Sequence, residues 1–147
     1  ESSEPMPHGF RAALATGLGQ TGRFSATAPL SRLSARLEME IPAAAAVAAL
    51  GELGHPLAGG AVLHALYAPN ARIRLNACRA ATALRLTGLV DALSECLDDP
   101  SWDVRFEASQ ALLALGGPGR ARLRKVATSG SPRSAGLART SLLEVAA

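Results

Sequence analysis

The chain has 147 residues, of which 48% are hydrophobic but only 3% aromatic, and its formal net charge is +3. This length predicts a single domain, and the many alanines and leucines predict an all-α fold, because both are strong helix formers. The small net charge does not by itself indicate a nucleic-acid partner, and no apolar stretch approaches the ~20 residues that span a bilayer.

The first 40 residues carry the weakest pattern of the chain. We expect residues 1–9 (ESSEPMPHG) to form a flexible lead-in to a single domain over residues 10–147. Two short apolar segments follow: FRAALATGLG, and the segment Leu30–Glu38, in which Leu30, Leu33 and Leu37 are spaced for one side of a helix. Residues 10–40 are therefore predicted to be a degenerate helix pair that caps the domain.

From residue 41 onward, an apolar pattern with helical spacing recurs every 31 residues. The clearest copy places its members on one face of a helix: Val104, Ala108, Ala111, Leu112 and Leu115. The positions 31 earlier are Ile73, Ala77, Ala80, Ala81 and Leu84, and the next copy back is Pro42, Ala46, Ala49, Leu50 and Leu53. The positions 31 later are Ala135, Arg139, Leu142, Leu143 and Ala146. A period of this size predicts a solenoid.

A shorter apolar set lies between these faces and predicts a second helix in each repeat. Its copies are Ala58, Gly59, Val62, Ala65 and Leu66, then Leu89, Val90, Leu93, Cys96 and Leu97, and, at a shift of 30, Leu123, Val126 and Ala127. The predicted repeats are 41–69, 70–100 and 101–131, followed by a terminal helix over 132–147. Asn70, Ser101 and Ser131 are N-cap candidates, and Gly54, Gly88 and Gly116 are expected to end the first helices.

The segment DDPSWDVRFEASQALLALG, residues 98–116, resembles the first helix of a HEAT repeat in the short bacterial form known from phycobilisome lyases. The matching positions are Asp98, Asp99, Pro100, Val104, Arg105, Ala108, Ala111, Leu115 and Gly116. The preceding copy keeps Pro69, Ile73, Arg74, Ala77, Ala80 and Leu84, but has Ala68 and Asn70 in the turn where the acids would stand. The resemblance covers residues 41–147 well and 1–40 poorly. It implies a right-handed α-solenoid of about four antiparallel helix pairs.

The resemblance also implies structural roles for charged residues near the helix starts. Asp103 complements the positive end of its helix, and in the family this Asp and Arg105 bond between neighbouring repeats, with Arg74 beside Arg105. An anion site is the alternative interpretation. Trp102 is expected to pack over the turn between repeats, and the alternative is an exposed binding hot spot.

Two charged groups are the candidates for binding a partner. The acidic region comprises Asp91, Glu95, Asp98, Asp99, Asp103 and Glu107, of which the first four are the binding candidates, and the basic region comprises Arg120, Arg122, Arg124, Lys125, Arg133 and Arg139, of which the first five are the candidates. Such runs are commonly solvated faces. The functional alternative is that the second helices line the concave side of the solenoid and present these charges to a partner.

No motif indicates catalysis, a metal or a cofactor, so the sequence predicts none of them. The histidines His8, His55 and His64 form no His-Glu pair, and no Cys-x-x-Cys or metal-spaced histidine pair occurs. Because repeats of this type occur in scaffolds, adaptors, lyases and glycosylases, they say little about function. We predict a protein-binding scaffold or adaptor. The alternatives are a nucleic-acid-binding domain that uses the basic C-terminal region, which lacks stacking aromatics after Phe106, and a bilin-lyase-like chaperone.

Cysteine content and the first residue bear on the compartment. Cys78 and Cys96 are too few for a disulfide scaffold; they are expected to be small buried hydrophobes, with a bridge between neighbouring helices as the alternative. No signal-peptide pattern occurs. Because the sequence begins with Glu1, we expect a fragment or processed form, either cytoplasmic or the soluble part of a longer or membrane-anchored protein. Of the 15 basic residues only Lys125 is a lysine, which is typical of GC-rich bacterial genomes.

Overall fold

A computed structural model describes residues 7–20, 26–36 and 40–147, and within these ranges the chain forms nine α-helices and no strand. The helices are α1 (His8–Gln20), α2 (Thr27–Ser34), α3 (Glu40–Leu53), α4 (Gly59–Leu66), α5 (Ala71–Leu84), α6 (Val90–Cys96), α7 (Trp102–Ala114), α8 (Gly117–Ser129) and α9 (Pro132–Ala146). The predicted all-α fold is confirmed. Residues 1–6 of the predicted lead-in and Leu37 of the predicted cap lie outside the described residues, and α1 begins at His8.

The helices pack in two layers. In the first layer, α1, α3, α5, α7 and α9 lie side by side, each against the next. In the second layer, α2, α4, α6 and α8 follow the same order, and each packs against the first-layer helix that follows it in the chain. Because each helix pair packs mainly on the adjacent pairs, the molecule is the helical solenoid that the period predicts. The repeat boundaries themselves stay a prediction.

The core lies between the two layers and consists of the repeating apolar positions. Val104, Ala108, Ala111 and Leu112 of α7 are buried, and so are Ile73, Ala77, Ala80 and Ala81 of α5. Small residues let the helices approach closely. A Cβ atom added to Gly51 of α3 would lie 2.9 Å from the Cα atom of Ala80, and one added to Gly119 of α8 would lie 1.7 Å from the carbonyl oxygen of Leu112.

The last helix differs from the predicted pattern. The buried residues of α9 are Ser134, Ala135, Ala138 and Ser141, whereas Arg139 is exposed and Leu143 is 70% exposed. The reason is a repeat that is one residue shorter: α5 and α7 begin 31 residues apart, at Ala71 and Trp102, but α9 begins 30 residues later at Pro132. Of the terminal apolar face predicted from a constant period of 31, Ala135 is buried and Leu142 packs on the core, but the prediction is wrong for Leu143 and Ala146, which are exposed.

The ends of the first helices show the period most directly. Residues 54, 85 and 116, each 31 apart, all have positive φ: 68° at Gly54, 50° at Arg85 and 69° at Gly116. The prediction that Gly88 ends α5 is wrong, because α5 ends at Leu84 and Arg85 takes the left-handed conformation. Asn70 and Ser131 cap α5 and α9 with their side chains, as predicted, whereas Ser101 precedes α7 without a side-chain cap hydrogen bond.

Within residues 7–20, 26–36 and 40–147, none of the helices has both the length and the hydrophobicity needed to cross a bilayer.

Candidate interaction surface

Arg74 and Asp99 join two successive turns of the solenoid. The Nε and Nη2 atoms of Arg74 donate to the two carboxylate oxygens of Asp99, at 2.7 and 3.0 Å. Its Nη1 atom donates to the carbonyl oxygens of Ala68 and Pro69, both at 2.8 Å. The two side chains are only 14% and 6% exposed. Asp99, a predicted partner contact, thus lies inside the junction between repeats.

The environment of Asp99 favours its ionised form. Burial by itself raises the pKa of this carboxyl group. Hydrogen bonds from Arg74 and from the backbone N–H of Ser101, together with the charges of Arg74 and Arg105, outweigh that effect. The pKa of Asp99 is therefore below its ordinary value.

Arg105 occupies the corresponding position in the next repeat but lacks the corresponding carboxylate. Its Nη1 atom donates to the carbonyl oxygens of Asp99 and Pro100, at 2.7 and 3.2 Å. Its Nε atom is buried and has no hydrogen-bond partner in the described part of the chain. Asp103, the expected partner, is exposed and forms no side-chain hydrogen bond or ion pair with a described residue. The carboxylate that bridges repeats is Asp99 instead.

Trp102 is more exposed than the packing interpretation expected. Its side chain is 57% exposed. The guanidinium carbon of Arg105 lies 5.3 Å from the centre of the Trp102 ring, and the ring of Phe106, which is 43% exposed, lies 6.4 Å away. The Trp102 ring therefore covers one face of the Arg105 guanidinium while remaining largely exposed itself.

The remaining acidic candidates lie on or just after α6. Asp91 forms an ion pair with Arg122 of α8, and Asp98 accepts a hydrogen bond from the hydroxyl of Ser131. Glu95 and Asp98 line an open cleft of about 500 Å³ together with Tyr67, a residue that the sequence analysis did not single out. Desolvation and a hydrogen bond with Glu95 raise the pKa of Tyr67. The 31-residue period could have identified Tyr67, because it stands 31 positions before Asp98 and so occupies the same position in the preceding repeat.

The basic candidates lie on α8 and at the start of α9. Arg122 faces α6, where it pairs with Asp91. Arg120, Arg124, Lys125 and Arg133 are exposed, and none of them forms an ion pair within the described ranges. Arg139 donates from Nε to the carbonyl oxygen of Ala127 at 3.1 Å and so binds the last turn of α8.

The exposed sides of α6 and α8 thus place opposite charges next to each other. We call this region the second-helix surface and define it by Asp91, Glu95, Asp98, Arg120, Arg124 and Lys125. A groove of about 410 Å³ runs between the two helices and is lined by Asp91 and Lys125, among others. The sequence predicted both charged groups. It did not predict that Asp91 and Arg122 form an ion pair with each other while, in the described part of the chain, the remaining members form none across the two helices.

Other chemical groups offer little in the way of a reactive site. Cys78 of α5 and Cys96 of α6 are free and buried. A hydrogen bond to Cys96 and burial raise the pKa of Cys78, so this thiol is a poor nucleophile. Among the described residues, no three His, Cys, Asp or Glu side chains are placed to hold a metal ion.

Comparison with known proteins identifies the type of repeat. A family model described as HEAT repeats matches residues 60–142, from the start of α4 to near the end of α9. No curated protein matches the sequence.

Proposed function

Because the chain belongs to the HEAT-repeat family, we propose that it is a non-catalytic protein-binding module, a scaffold or adaptor. HEAT repeats are commonly protein-interaction scaffolds, and stacked repeats offer long surfaces for such contacts. In this proposal the partner binds the second-helix surface. The phycobilisome-lyase subtype and a bilin-chaperone role stay predictions.

The observation that carries the proposal is that an acidic second helix, α6, lies next to a basic one, α8. Glu95 and Asp98 are exposed at α6, and Arg120, Arg124 and Lys125 are exposed at α8. Within the described ranges, Arg122 with Asp91 is the ion pair that links these two helices. A protein surface can complement both signs, and complementary charges speed and orient association.

The same placement of acidic residues beside basic ones disfavours the second candidate function, nucleic-acid binding. A phosphate backbone would be attracted to Arg120, Arg124 and Lys125 but repelled by the carboxylates on the neighbouring helix α6. Single-stranded nucleic acid also needs aromatic platforms, and no aromatic residue follows Phe106 in the sequence.

Site-specific photo-crosslinking tests the proposal. A photoreactive amino acid at Glu95 or Arg124 should give protein adducts in nuclease-treated extract. The same amino acid at Ala83 of α5 or Thr140 of α9, both exposed in the first layer, should not. Adducts that form only from Ala83 and Thr140 would contradict the proposed surface.

A binding titration separates the two candidates. At about 150 mM salt, where phosphate contacts weaken, the wild-type chain should not bind duplex or single-stranded DNA or RNA. If it does bind, and if the triple variant Arg120→Glu, Arg124→Glu, Lys125→Glu abolishes that binding, the nucleic-acid function replaces the proposed one.

A further inference from the structure

Arg74 and Arg105 are two copies of one structural device, and only one copy is complete. Each Nη1 atom donates to the carbonyl oxygens of the residues six and five positions earlier, Ala68 and Pro69 for Arg74, and Asp99 and Pro100 for Arg105. These shared contacts give the two guanidinium groups the same orientation in their repeats. The outer edge of Arg74, formed by Nε and Nη2, holds the carboxylate of Asp99.

Within residues 7–20, 26–36 and 40–147, no carboxylate contacts the outer edge of Arg105. Asp99 stands three residues before the start of α7, and the residue three before the start of α9 is Ser129. Its hydroxyl donates to the carbonyl oxygen of Lys125 within α8, at 2.8 Å. No acid occurs between Glu107 and Glu144. In the described part of the chain the buried Nε of Arg105 consequently has no acceptor.

An unpartnered guanidinium edge favours a ligand. A buried donor without an acceptor destabilises the fold, and it does so more strongly when the group is charged. An arginine edge binds a carboxylate through two parallel hydrogen bonds. The face of Arg105 is already covered by Trp102 at 5.3 Å, which removes water from one side and strengthens electrostatic contacts made at the edge.

We propose that the outer edge of Arg105 is a carboxylate-binding site that takes an Asp or Glu side chain of the partner protein. The inference rests on the proposed protein-binding function and adds the chemistry that the partner brings. A carboxylate is favoured over a phosphate because the complete copy, Arg74, binds a carboxylate. In addition, Asp98 and Asp99 lie in the adjoining turn and repel a doubly charged anion.

Nuclear magnetic resonance of the arginine side chains tests the site on the full chain without any partner. In ¹⁵N-labelled protein, the Nε–H signal of Arg105 should shift saturably when acetate is added at constant ionic strength. The Nε–H signal of Arg74 is the internal control and should not move, because Asp99 already occupies its edge. Half-saturation for Arg105 should need about tenfold less acetate than for the exposed Arg124, which corresponds to about 1.4 kcal/mol.

A second readout uses Trp102, the single tryptophan of the chain. Its fluorescence should change with acetate in the wild type and stay constant in Arg105→Lys, which keeps the charge but removes the two-donor edge. An unmoved Arg105 signal, or half-saturation of Arg105 at the same acetate concentration as Arg124, would overturn the site. A response to inorganic phosphate at lower concentration than to acetate would overturn the acidic side chain as ligand. Neither result affects the crosslinking test, so the two proposals fail separately.

Discussion

Asp99 serves two repeats with different atoms. Its carboxylate accepts hydrogen bonds from Arg74 and from the backbone N–H of Ser101, the latter at 2.9 Å. Its carbonyl oxygen accepts a hydrogen bond from Arg105. Asp99 is only 8% exposed and links two repeats. Its charge and its position beside Asp98 had led to the prediction that it contacts a partner.

Replacing Asp99 with asparagine should destabilise the fold. The variant leaves the charge of Arg74 without its counterion in a mostly buried position, and loss of one member of such a pair costs about 3 kcal/mol or more. Urea unfolding at pH 7, followed by circular dichroism, measures the loss. Asp103→Asn is the matched control and should change the free energy of unfolding by less than about 0.5 kcal/mol, because Asp103 is exposed.

The effect of Asp99→Asn should depend on pH. The pKa of Asp99 in the folded chain is below its ordinary value, which is about 3.9 in an unfolded chain. Its stabilising contribution is therefore complete above about pH 4 and is lost as the pH falls through the folded-state pKa. The stability difference between wild type and Asp99→Asn should shrink below pH 4. A difference that persists unchanged at pH 2 would contradict the ion pair.

Arg85→Gly should stabilise the chain. Arg85 has a φ of 50° at the position where the neighbouring repeats have Gly54 and Gly116. The left-handed conformation costs an L-residue about 1–2 kcal/mol, which exceeds the extra entropy of glycine in the unfolded chain. We expect a gain of about 1 kcal/mol in thermal or urea unfolding. Ala83→Gly in the same helix should lose about 1 kcal/mol; if both variants lose stability, the left-handed helix end is excluded.

At the scale of the helices, the two glycines Gly119 and Gly136 have opposite roles. A Cβ atom at Gly119 would lie 1.7 Å from the carbonyl oxygen of Leu112, whereas one at Gly136 would meet no atom within 4 Å. Gly119 is thus required where α8 crosses α7, whereas Gly136 has room for a side chain and, as a glycine inside a helix, destabilises α9.

Alanine at these two positions should act in opposite directions. Gly119→Ala forces α8 away from the backbone of α7 and should cost at least about 3 kcal/mol, the upper range for an overpacked core. Gly136→Ala should add up to about 1 kcal/mol, because alanine is the better helix former. Melting temperatures of the two variants, measured side by side, check the prediction. Equal effects would mean that α7 and α8 do not approach so closely.

The helices themselves could be predicted because their apolar spacing repeats. The faces led by Val104, Ile73 and Pro42 lie 31 residues apart and are buried as expected, except for Leu84, which is half-buried. The buried face of α9 could not be predicted in this way, because two of its buried residues, Ser134 and Ser141, are polar and do not contribute to an apolar pattern. One residue fewer before α9 moved Leu143 from the predicted interior to the surface.

For the molecule as a whole, the sequence indicated which residues are charged but not how they pair. Arg122 meets Asp91 and Ser131 meets Asp98 across separate elements, and those contacts depend on how one repeat stacks on the next. The Arg74–Asp99 pair was missed for the same reason: Asp103 matched the family pattern in sequence, but Asp99 is the carboxylate that the stacking brings to Arg74.

Because Arg105 has no carboxylate partner among the described residues, the junctions between successive repeats are held by different kinds of bond. Arg74 fastens the turn at Ala68 and Pro69 to the turn at Asp99 through two charged bonds, while the turn before α9 is fastened to its predecessor by the hydroxyl of Ser131. The turn before α9 is therefore joined to the turn before it by a hydroxyl–carboxylate hydrogen bond, whereas the turns before α5 and α7 are joined by a buried ion pair.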